Sequence, residues 1–284
     1  MEKGDLKLYT YYPGCSLVTT AAENNASLIR FCRFVGVRLV ELEDWNCCGS
    51  SSAHSIDSAA AEDLAARNLS LAPSGLPLLV ACPSCILRLR GAHQHIRENR
   101  EARQRYKKMW NRKFDPDLQI IHPFELLEGI RFERILPDAG NRLKGLKVAP
   151  YYGCMLATSP SIDRGPSHSG ILEKILSDLG AAPMEWMQRS RCCGTYLTVA
   201  RPDVATPVVN GIVRSAVDAG AECIVTACAM CHLNLEVRCS LKRQIPIFHF
   251  SELLSLAMGE AKGENWFSRH LIDPRPLLKL HDLL

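Results

Sequence analysis

Short apolar runs rich in β-branched and aromatic residues alternate with longer amphipathic stretches along the chain. In the first half these runs predict strands at residues 6–12, 37–42, 76–81 and 119–121. The amphipathic stretches predict helices at residues 18–35, 53–71, 86–110 and 124–128. The second half predicts strands near residues 146–152, 184–187, 223–227 and 245–248, with helices between them. Strand–helix alternation at this spacing is typical of parallel α/β sheets.

Five cysteines repeat in the same order in the two halves of the chain. They are Cys15, Cys47, Cys48, Cys82 and Cys85 in the first half, and Cys154, Cys192, Cys193, Cys228 and Cys231 in the second. A single cysteine precedes a Cys-Cys-Gly sequence by 31 or 37 intervening residues, and 33 or 34 more separate that pair from a Cys-X-X-Cys motif. The flanking sequences Tyr-Tyr-Pro-Gly-Cys and Tyr-Tyr-Gly-Cys also match, as do residues 122–127 and 249–254. We predict an internal duplication into two pseudo-symmetric, Rossmann-like parallel-sheet domains, residues 1–140 and 141–284, with a linker at residues 137–145.

Composition narrows the class of protein. The 284 residues are 47% hydrophobic and 23% charged, with a net charge of +4, which is typical of a globular protein and too small a charge to favour nucleic acid as a partner. No apolar stretch reaches the roughly 18 residues that a membrane helix needs. The first 12 residues lack the apolar core of a secretion signal. We therefore expect a soluble, cytoplasmic protein.

The 13 cysteines are the unusual feature of the composition. A chain of this length builds its own core without disulfides, so this number in a reducing compartment favours metal binding or redox catalysis. The repeated cysteines follow the carboxyl ends of predicted strands, and the loops there meet at one edge of an open sheet, where such folds bind ligands. Five thiols at one place can hold an iron–sulfur cluster, hold zinc, or act as a dithiol redox site. The vicinal pair favours the cluster, because adjacent side chains diverge and more easily reach different metal atoms.

The duplicated order of Cys, Cys-Cys-Gly and Cys-X-X-Cys resembles the CCG-domain family, and specifically the B subunit of heterodisulfide reductase. The resemblance covers nearly the whole chain, including residues 45–55 and 266–278. It implies two noncubane [4Fe-4S] clusters, each held by all five cysteines of one half, which cleave or form a disulfide between them. It also implies two partners, a ferredoxin-type C subunit and a flavin-containing A-type subunit. No nucleotide or flavin motif occurs in this chain, so electrons have to come from, or go to, a partner.

Several other residues are candidates for smaller roles. His54, His122, His249 and Arg191 are candidates to surround the clusters, although capping of the following helix is the preferred role of His122 and His249. Cys32, Cys223 and Cys239 have no counterpart in the other half and are predicted to be structural. His93 and His95 are predicted to be solvated. Residues 97–113 carry eight Lys/Arg residues and form either a solvated helix or a docking surface for an acidic partner.

Three functions remain open at this point. The first is a disulfide reductase subunit or its reverse, a thiol-oxidising subunit. The second is an electron-relay or anchor subunit of a succinate dehydrogenase or thiol:fumarate reductase complex, with zinc in one site. The third is a zinc scaffold without activity. The metal content of the protein would separate these three functions.

Overall fold

Two parallel four-stranded sheets form the framework of the molecule. The computed structural model describes residues 6–50, 53–112, 114–157, 168–259 and 266–284. The strands are β1 (Lys7–Tyr12), β2 (Val37–Glu41), β3 (Leu78–Val80), β4 (Ile120–Ile121), β5 (Lys147–Tyr151), β6 (Ala182–Pro183), β7 (Cys223–Thr226) and β8 (Ile247–His249). The first sheet has the order β2-β1-β3-β4 and the second β6-β5-β7-β8, with every pairing parallel. The predicted α/β class, the duplication and the two parallel sheets are confirmed.

Helices connect the strands. In the first half they are α1 (Gly14–Val18), α2 (Ala22–Phe34), α3 (Ala53–Ile56), α4 (Ser58–Leu71), α5 (Pro83–Glu98), α6 (Arg100–Trp110), α7 (Pro123–Glu128) and α8 (Phe132–Ile135). In the second half they are α9 (Gly153–Ala157), α10 (Ile171–Asp178), α11 (Pro202–Asp218), α12 (Ala229–Arg238), α13 (Phe250–Ala257) and α14 (Arg275–Leu280).

Two predicted helices are each divided by a capping residue. The Asp57 carboxylate accepts hydrogen bonds from two backbone N–H groups at the start of α4, and the Asn99 amide oxygen does the same for α6. Short polar side chains of this kind stabilise a new helix start better than they continue an existing helix. The amphipathic pattern continues across both breaks, so it predicted single helices.

One strand lies earlier than its predicted position. We predicted a strand at residues 184–187, but β6 consists of Ala182 and Pro183. Proline lacks a backbone N–H and is therefore tolerated only at the edge of a sheet, which is where β6 lies. The apolar residues that follow β6 include Trp186, which is buried and donates a hydrogen bond from Nε1 to the Pro150 carbonyl at 2.8 Å. Burial rather than strand pairing explains their apolar pattern.

The two halves pack against each other through equivalent pairs of elements. Helix α2 packs against α13, and α10 packs against α7, so each half supplies one helix to each contact. The ring of Phe124 meets that of Phe250 edge-on at 5.1 Å, and the Ser27 and Ser251 hydroxyls are hydrogen-bonded at 2.7 Å. One hydrophobic cluster contains buried residues of both halves. The halves therefore have separate sheets but share a core.

The predicted linker is packed rather than open. Within residues 137–145, Leu143 is fully buried and its N–H donates to the Leu179 carbonyl at 2.7 Å. The Gly145 N–H donates to the Gly180 carbonyl in the same way. Among the described residues, no helix combines the length and apolar character required to cross a bilayer.

Candidate metal centres

The repeated cysteines lie at the carboxyl edges of the two sheets. Cys15 lies on α1 just after β1, the vicinal pair follows β2, and Cys82 immediately precedes α5, which begins after β3. Cys154, Cys192, Cys193 and Cys228 have the same relation to β5, β6 and β7. In the first sheet β2 and β3 lie on opposite sides of β1, and in the second sheet β6 and β7 lie on opposite sides of β5. Open α/β sheets bind ligands at the carboxyl ends of the strands where the strand order reverses in this way.

In the first half the five thiols form one cluster, which we call site 1. The Sγ atoms of Cys48 and Cys85 lie 3.1 Å apart, and Cys15 and Cys47 are hydrogen-bonded to each other. Hydrogen bonds from Cys15 and Cys48 lower the pKa of Cys47 to about 2. A hydrogen bond from Cys85 likewise lowers the pKa of Cys82 to about 7. These hydrogen bonds favour the thiolate form, in which sulfur binds metals, at Cys47 and Cys82, and the same contacts raise the pKa of the partner thiols Cys15, Cys48 and Cys85.

The second half repeats this arrangement in site 2. The Sγ atoms of Cys193 and Cys231 lie 3.5 Å apart, and Cys154 is hydrogen-bonded to Cys192. The Cys154 contact lowers the pKa of Cys192 to about 6. In both sites the first cysteine of the vicinal pair is exposed and the second is buried. Each site thus has an enclosed side and a side open to solvent.

Glycines at equivalent positions allow the sulfurs to converge. Gly14 and Gly153 have positive φ values of 74° and 68°. A Cβ at Gly14 would lie 3.2 Å from the Cys85 Sγ, and one at Gly153 would lie 3.2 Å from the Cys231 Sγ. A larger residue would therefore have to adopt an unfavourable backbone conformation and displace a sulfur.

Two tyrosines hold the loops that carry the vicinal pairs. The Tyr12 hydroxyl donates to the Asn46 carbonyl at 2.8 Å, and the Tyr151 hydroxyl donates to the Arg191 carbonyl. Asn46 and Arg191 each precede the first cysteine of a pair. Strand pairing shows that Tyr12 and Tyr151 are equivalent. Tyr12 pairs with Val80 and Tyr151 pairs with Thr226. Val80 and Thr226 each lie two residues before the Cys-X-X-Cys motif of their half. The sequence repeat pointed to these tyrosines, but not to their role.

Sites 1 and 2 face a common junction. Helix α1, which carries Cys15, packs against α12 of the other half, and α9, which carries Cys154, packs against α5. The Ser84 hydroxyl, inside the first Cys-X-X-Cys motif, lies 3.0 Å from the hydroxyl of Tyr196, three residues after Cys193.

Tyr196 lies near sulfurs of both sites. Burial raises the pKa of Tyr196, and Cys82 of site 1 together with Cys228 and Cys154 of site 2 raises it further. The side chain is still 44% exposed, so the junction is accessible from solvent. Sequence reasoning missed Tyr196 because serine occupies the equivalent position in the first half.

His122, which follows β4, and His249, the last residue of β8, lie at helix starts. The Nδ1 atom of His122 accepts a hydrogen bond from the backbone N–H of Phe124 at 3.2 Å. The backbone N–H of His122 donates to the Glu125 carboxylate. The His249 N–H donates to Glu252 at 2.8 Å, and its Nδ1 lies 2.7 Å from the Ser251 hydroxyl. Burial holds the pKa of both imidazoles well below its usual value. The preferred capping role is therefore observed for the His122 side chain, whereas the His249 side chain contacts the Ser251 hydroxyl at the start of α13.

The other predicted residues are more scattered. His54 lies on α3, with its Nδ1 buried and without a hydrogen-bond partner among the described residues. Arg191 is exposed beside the vicinal pair of site 2. Cys32 and Cys223 are fully buried, as expected of structural cysteines, and Cys239 is partly buried. The prediction for His93 is wrong, because its ring is buried and Nε2 lies 2.9 Å from the Asp115 carbonyl oxygen.

The donor set fits an iron–sulfur cofactor. Cysteine sulfur is the usual ligand of iron–sulfur clusters, and both halves bring five sulfurs to one place. A tetrahedral zinc ion would leave one sulfur of each site unused.

The comparisons with known proteins agree with this geometry. The model of the cysteine-rich (CCG) domain matches residues 9–90 and 148–236. The chain belongs to the CCG-domain family. The matched segments run from within β1 into α5 and from within β5 into α12, and contain all ten repeated cysteines.

Two relatives identify the complexes in which similar chains occur. The chain is 29% identical to the 8-methylmenaquinol:fumarate reductase membrane anchor subunit of Wolinella succinogenes, over 95% of this chain and 99% of that one. It is 26% identical to the B subunit of the ferredoxin/F420H2-dependent CoB-CoM heterodisulfide reductase of Methanosarcina acetivorans, over 80% and 81%. The resemblance predicted from the cysteine motif is thereby confirmed. A crystal structure of a hypothetical protein from Helicobacter pylori has the same fold, with a TM-score of 0.72, 13% identity, and coverage of 93% of this chain and 52% of that one.

Proposed function

We propose that this CCG-domain chain is the iron–sulfur subunit of a heterodisulfide-reductase-type complex, which reduces or forms a disulfide at the junction of sites 1 and 2. The observation that carries this proposal is the contact between Ser84 and Tyr196, which joins the Cys-X-X-Cys motif of one site to the vicinal-cysteine loop of the other. The two equivalent sites face one solvent-accessible junction, so each site can bind one of the two sulfurs of a disulfide placed between them.

Each site holds one noncubane [4Fe-4S] cluster through all five of its cysteines. These cofactors supply one-electron steps close to sulfur, so two of them account for the two electrons that disulfide cleavage takes up. The chain itself fixes their relative position, because α1 and α9 each pack against the Cys-X-X-Cys helix of the other half. Tyr196 and Ser84 offer hydroxyl groups that orient the bound disulfide between the sites.

The substrate is a disulfide of small molecules or one attached to a protein, and electrons pass through partner subunits. The partners are a ferredoxin-type C subunit and a flavin-containing A-type subunit. Helix α6 is a suitable docking surface for an acidic partner, because its exposed residues include Arg100, Lys107 and Lys108. Lys113, the last residue of the basic stretch, lies outside the described residues. We assign residues 1–140 and 141–284 to the two domains.

A second function is favoured by one comparison. The fumarate reductase relative matches over 95% of this chain and 99% of its own length, against 80% and 81% for the heterodisulfide reductase relative. In this alternative the chain relays electrons within a fumarate reductase or succinate dehydrogenase complex, with zinc in one of the two sites. Tyr196 then lies beside the electron path and contacts no substrate.

A disulfide assay separates these functions. Anaerobically purified protein is reduced with an artificial one-electron donor, and thiol formation from a panel of disulfides is followed together with donor oxidation. The proposed function predicts two thiols formed for every two donor electrons consumed. Donor oxidation by a quinone in the reconstituted complex, with no thiol formed from any disulfide of the panel, would favour the relay.

A further inference from the structure

A buried group of histidines and glutamates lies behind site 2. His232 and Glu236 are one turn apart on α12, Glu252 lies in the first turn of α13, and His270 follows the 3-10 turn Trp266–Arg269. Ligand-type atoms of His232, Glu252 and His270 lie within 4.8 Å of one another. The side chains of Glu236, Glu252 and His270 are 4%, 0% and 3% exposed.

Three atoms of this group point at one another without a hydrogen bond. The Glu236 Oε1 lies 3.3 Å from the His270 Nδ1 and 3.7 Å from the His232 Nε2. All three atoms are buried, and none has a hydrogen-bond partner among the described residues. Buried polar atoms nearly always form hydrogen bonds, so three buried atoms that converge on one point in ion-pair contacts alone require an explanation.

Two buried carboxylates, Glu236 and Glu252, lie close together in this group. The His270 ring lies between them, 3.3 Å from the Glu236 Oε1 and 3.0 Å from the Glu252 Oε1. The His232 Nε2 lies 3.7 Å from the same Glu236 oxygen. Two buried carboxylates facing imidazole nitrogens form a negatively charged place suited to a divalent cation.

The first half of the molecule has an arginine where the second half has one of these glutamates. Counting from the Cys-X-X-Cys motifs and the His-led segments, Glu236 corresponds to Arg90 and Glu252 to Glu125. Arg90 donates to the Glu125 Oε1 at 2.6 Å and to the Ile120 carbonyl at 2.8 Å. A permanent cation therefore balances the glutamate in the first half, whereas the second half has a further carboxylate at the position of that cation.

We propose that His232, Glu236 and His270 form a mononuclear zinc site, distinct from the two cysteine sites. Two imidazole nitrogens and a carboxylate are a common ligand set for zinc. Tetrahedral zinc with bonds of about 2.0–2.1 Å separates its ligand atoms by about 3.3 Å, close to the spacing observed around the Glu236 Oε1. The two positive charges of Zn²⁺ would balance the two buried carboxylates.

The surrounding side chains hold these ligands in position. The Glu252 Oε1 lies 3.0 Å from the His270 Nε2, so the far side of this ring is oriented by a carboxylate, as is usual for zinc-bound histidine. The other oxygen of Glu252 accepts the His249 N–H, so both oxygens are in use and Glu252 is not a ligand. The Asn24 amide lies 3.0 Å from the His232 Nδ1, and the Leu271 N–H donates to the second oxygen of Glu236.

The fourth zinc position is open. A cavity of about 40 Å³ adjoins the ligands and is lined also by Thr20, Asn24 and Arg269. That volume accommodates a water molecule. All three ligands belong to the second half, and Asn24 of α2 contacts one of them from the first half, so the zinc site would lie at the contact between the halves, next to site 2.

Zinc K-edge absorption on the cluster-loaded 284-residue chain tests this site. The wild-type protein is incubated anaerobically with one equivalent of Zn²⁺, desalted, and analysed for zinc and iron. We expect one retained zinc per chain, with nitrogen and oxygen ligands at about 2.0–2.1 Å and no sulfur at about 2.3 Å. Glu236→Gln and His270→Gln should lose this zinc while retaining their iron.

Two further variants serve as controls for unfolding and for non-specific loss of zinc. Asn24→Ala leaves all three ligands in place and should weaken zinc binding about 10- to 100-fold. Glu125→Gln alters the corresponding ion pair of the first half and should bind zinc like the wild type. Failure of the wild type to retain zinc, a sulfur shell around it, or full zinc retention in both ligand variants would each overturn the proposal.

Discussion

The two halves of the molecule are nearly identical around their cysteines and different one layer further out. Gly14 and Gly153 approach equivalent sulfurs at the same 3.2 Å, and Tyr12 and Tyr151 hold equivalent loops. Behind the cysteines, the first half has an Arg90–Glu125 ion pair, and the second half has the His232–Glu236–His270 group. The two halves therefore share the arrangement of their cysteine sites and differ in the side chains that surround them.

The difference extends to the junction and the surface. The second half supplies a tyrosine, Tyr196, after its Cys-Cys-Gly sequence where the first half has a serine. The basic helix α6 of the first half has no counterpart among the described residues of the second half. Under the proposed function, equal cysteine sites with unequal surroundings lead us to expect that the halves bind the same kind of cofactor but contribute unequally to substrate or partner binding. The following predictions test how far the two halves are functionally equivalent.

The largest expected effect comes from removing one buried sulfur per site. Cys48→Ser and Cys193→Ser should each lose the cluster of their own site, and disulfide reduction should fall nearly to background in both variants, because one disulfide needs both sites. Iron content, spectra and thiol formation are measured for each variant. Near-wild-type turnover with one cluster missing would make that cluster a relay or a structural element.

Substitution of the close-approach glycines should have the next largest effect. Gly14→Ala and Gly153→Ala force an alanine into a left-handed conformation, at a cost of about 1–2 kcal/mol, and press its Cβ against a cysteine sulfur. We expect reduced iron occupancy in the substituted half. Gly75→Ala, which has a similar positive φ of 81° but no atom within 4 Å of the added Cβ, is the control. Equal iron loss in all three variants would assign the effect to backbone strain alone.

Tyr196→Phe should have a smaller effect. It removes one hydroxyl at the junction and should lower disulfide turnover about 3- to 10-fold, the value of one hydrogen bond, with iron content unchanged. Ser84→Ala should reproduce part of this loss. Tyr106→Phe, on α6, should not change turnover. An unaltered rate in Tyr196→Phe would remove this residue from the substrate site.

The smallest effect is expected on the basic helix. Lys107→Glu combined with Lys108→Glu should slow association with an acidic partner in a salt-dependent manner and leave the clusters intact. Arg105 is unsuitable for this test, because it forms an ion pair with Asp63 at 2.6 Å. The control reverses Lys242 and Arg243, two exposed residues after α12 in the other half. Equal slowing by both pairs would indicate a general charge effect.

The sequence predicted those features of the fold that have a local or repeated signal. Strand–helix alternation and the cysteine spacing gave the parallel sheets, the duplication and the placement of ten cysteines at the carboxyl edges. The breaks at Asp57 and Asn99 were missed because the apolar pattern continues through them. Tyr196 and the His270 group were missed because their partners lie on other elements: Ser84 is 112 residues from Tyr196, and Glu236 is 34 residues from His270. The buried position of His93 was missed for the same reason, because the carbonyl that its ring contacts belongs to Asp115, 22 residues away.

The central claim is that both five-cysteine sites hold iron–sulfur clusters, and the most direct test is metal and acid-labile sulfide analysis of wild-type protein purified without oxygen. The account predicts about eight iron ions per chain, with acid-labile sulfide, and any zinc bound only by nitrogen and oxygen. About four iron ions together with one zinc bound by sulfur, or sulfur-bound zinc in both sites, would contradict it.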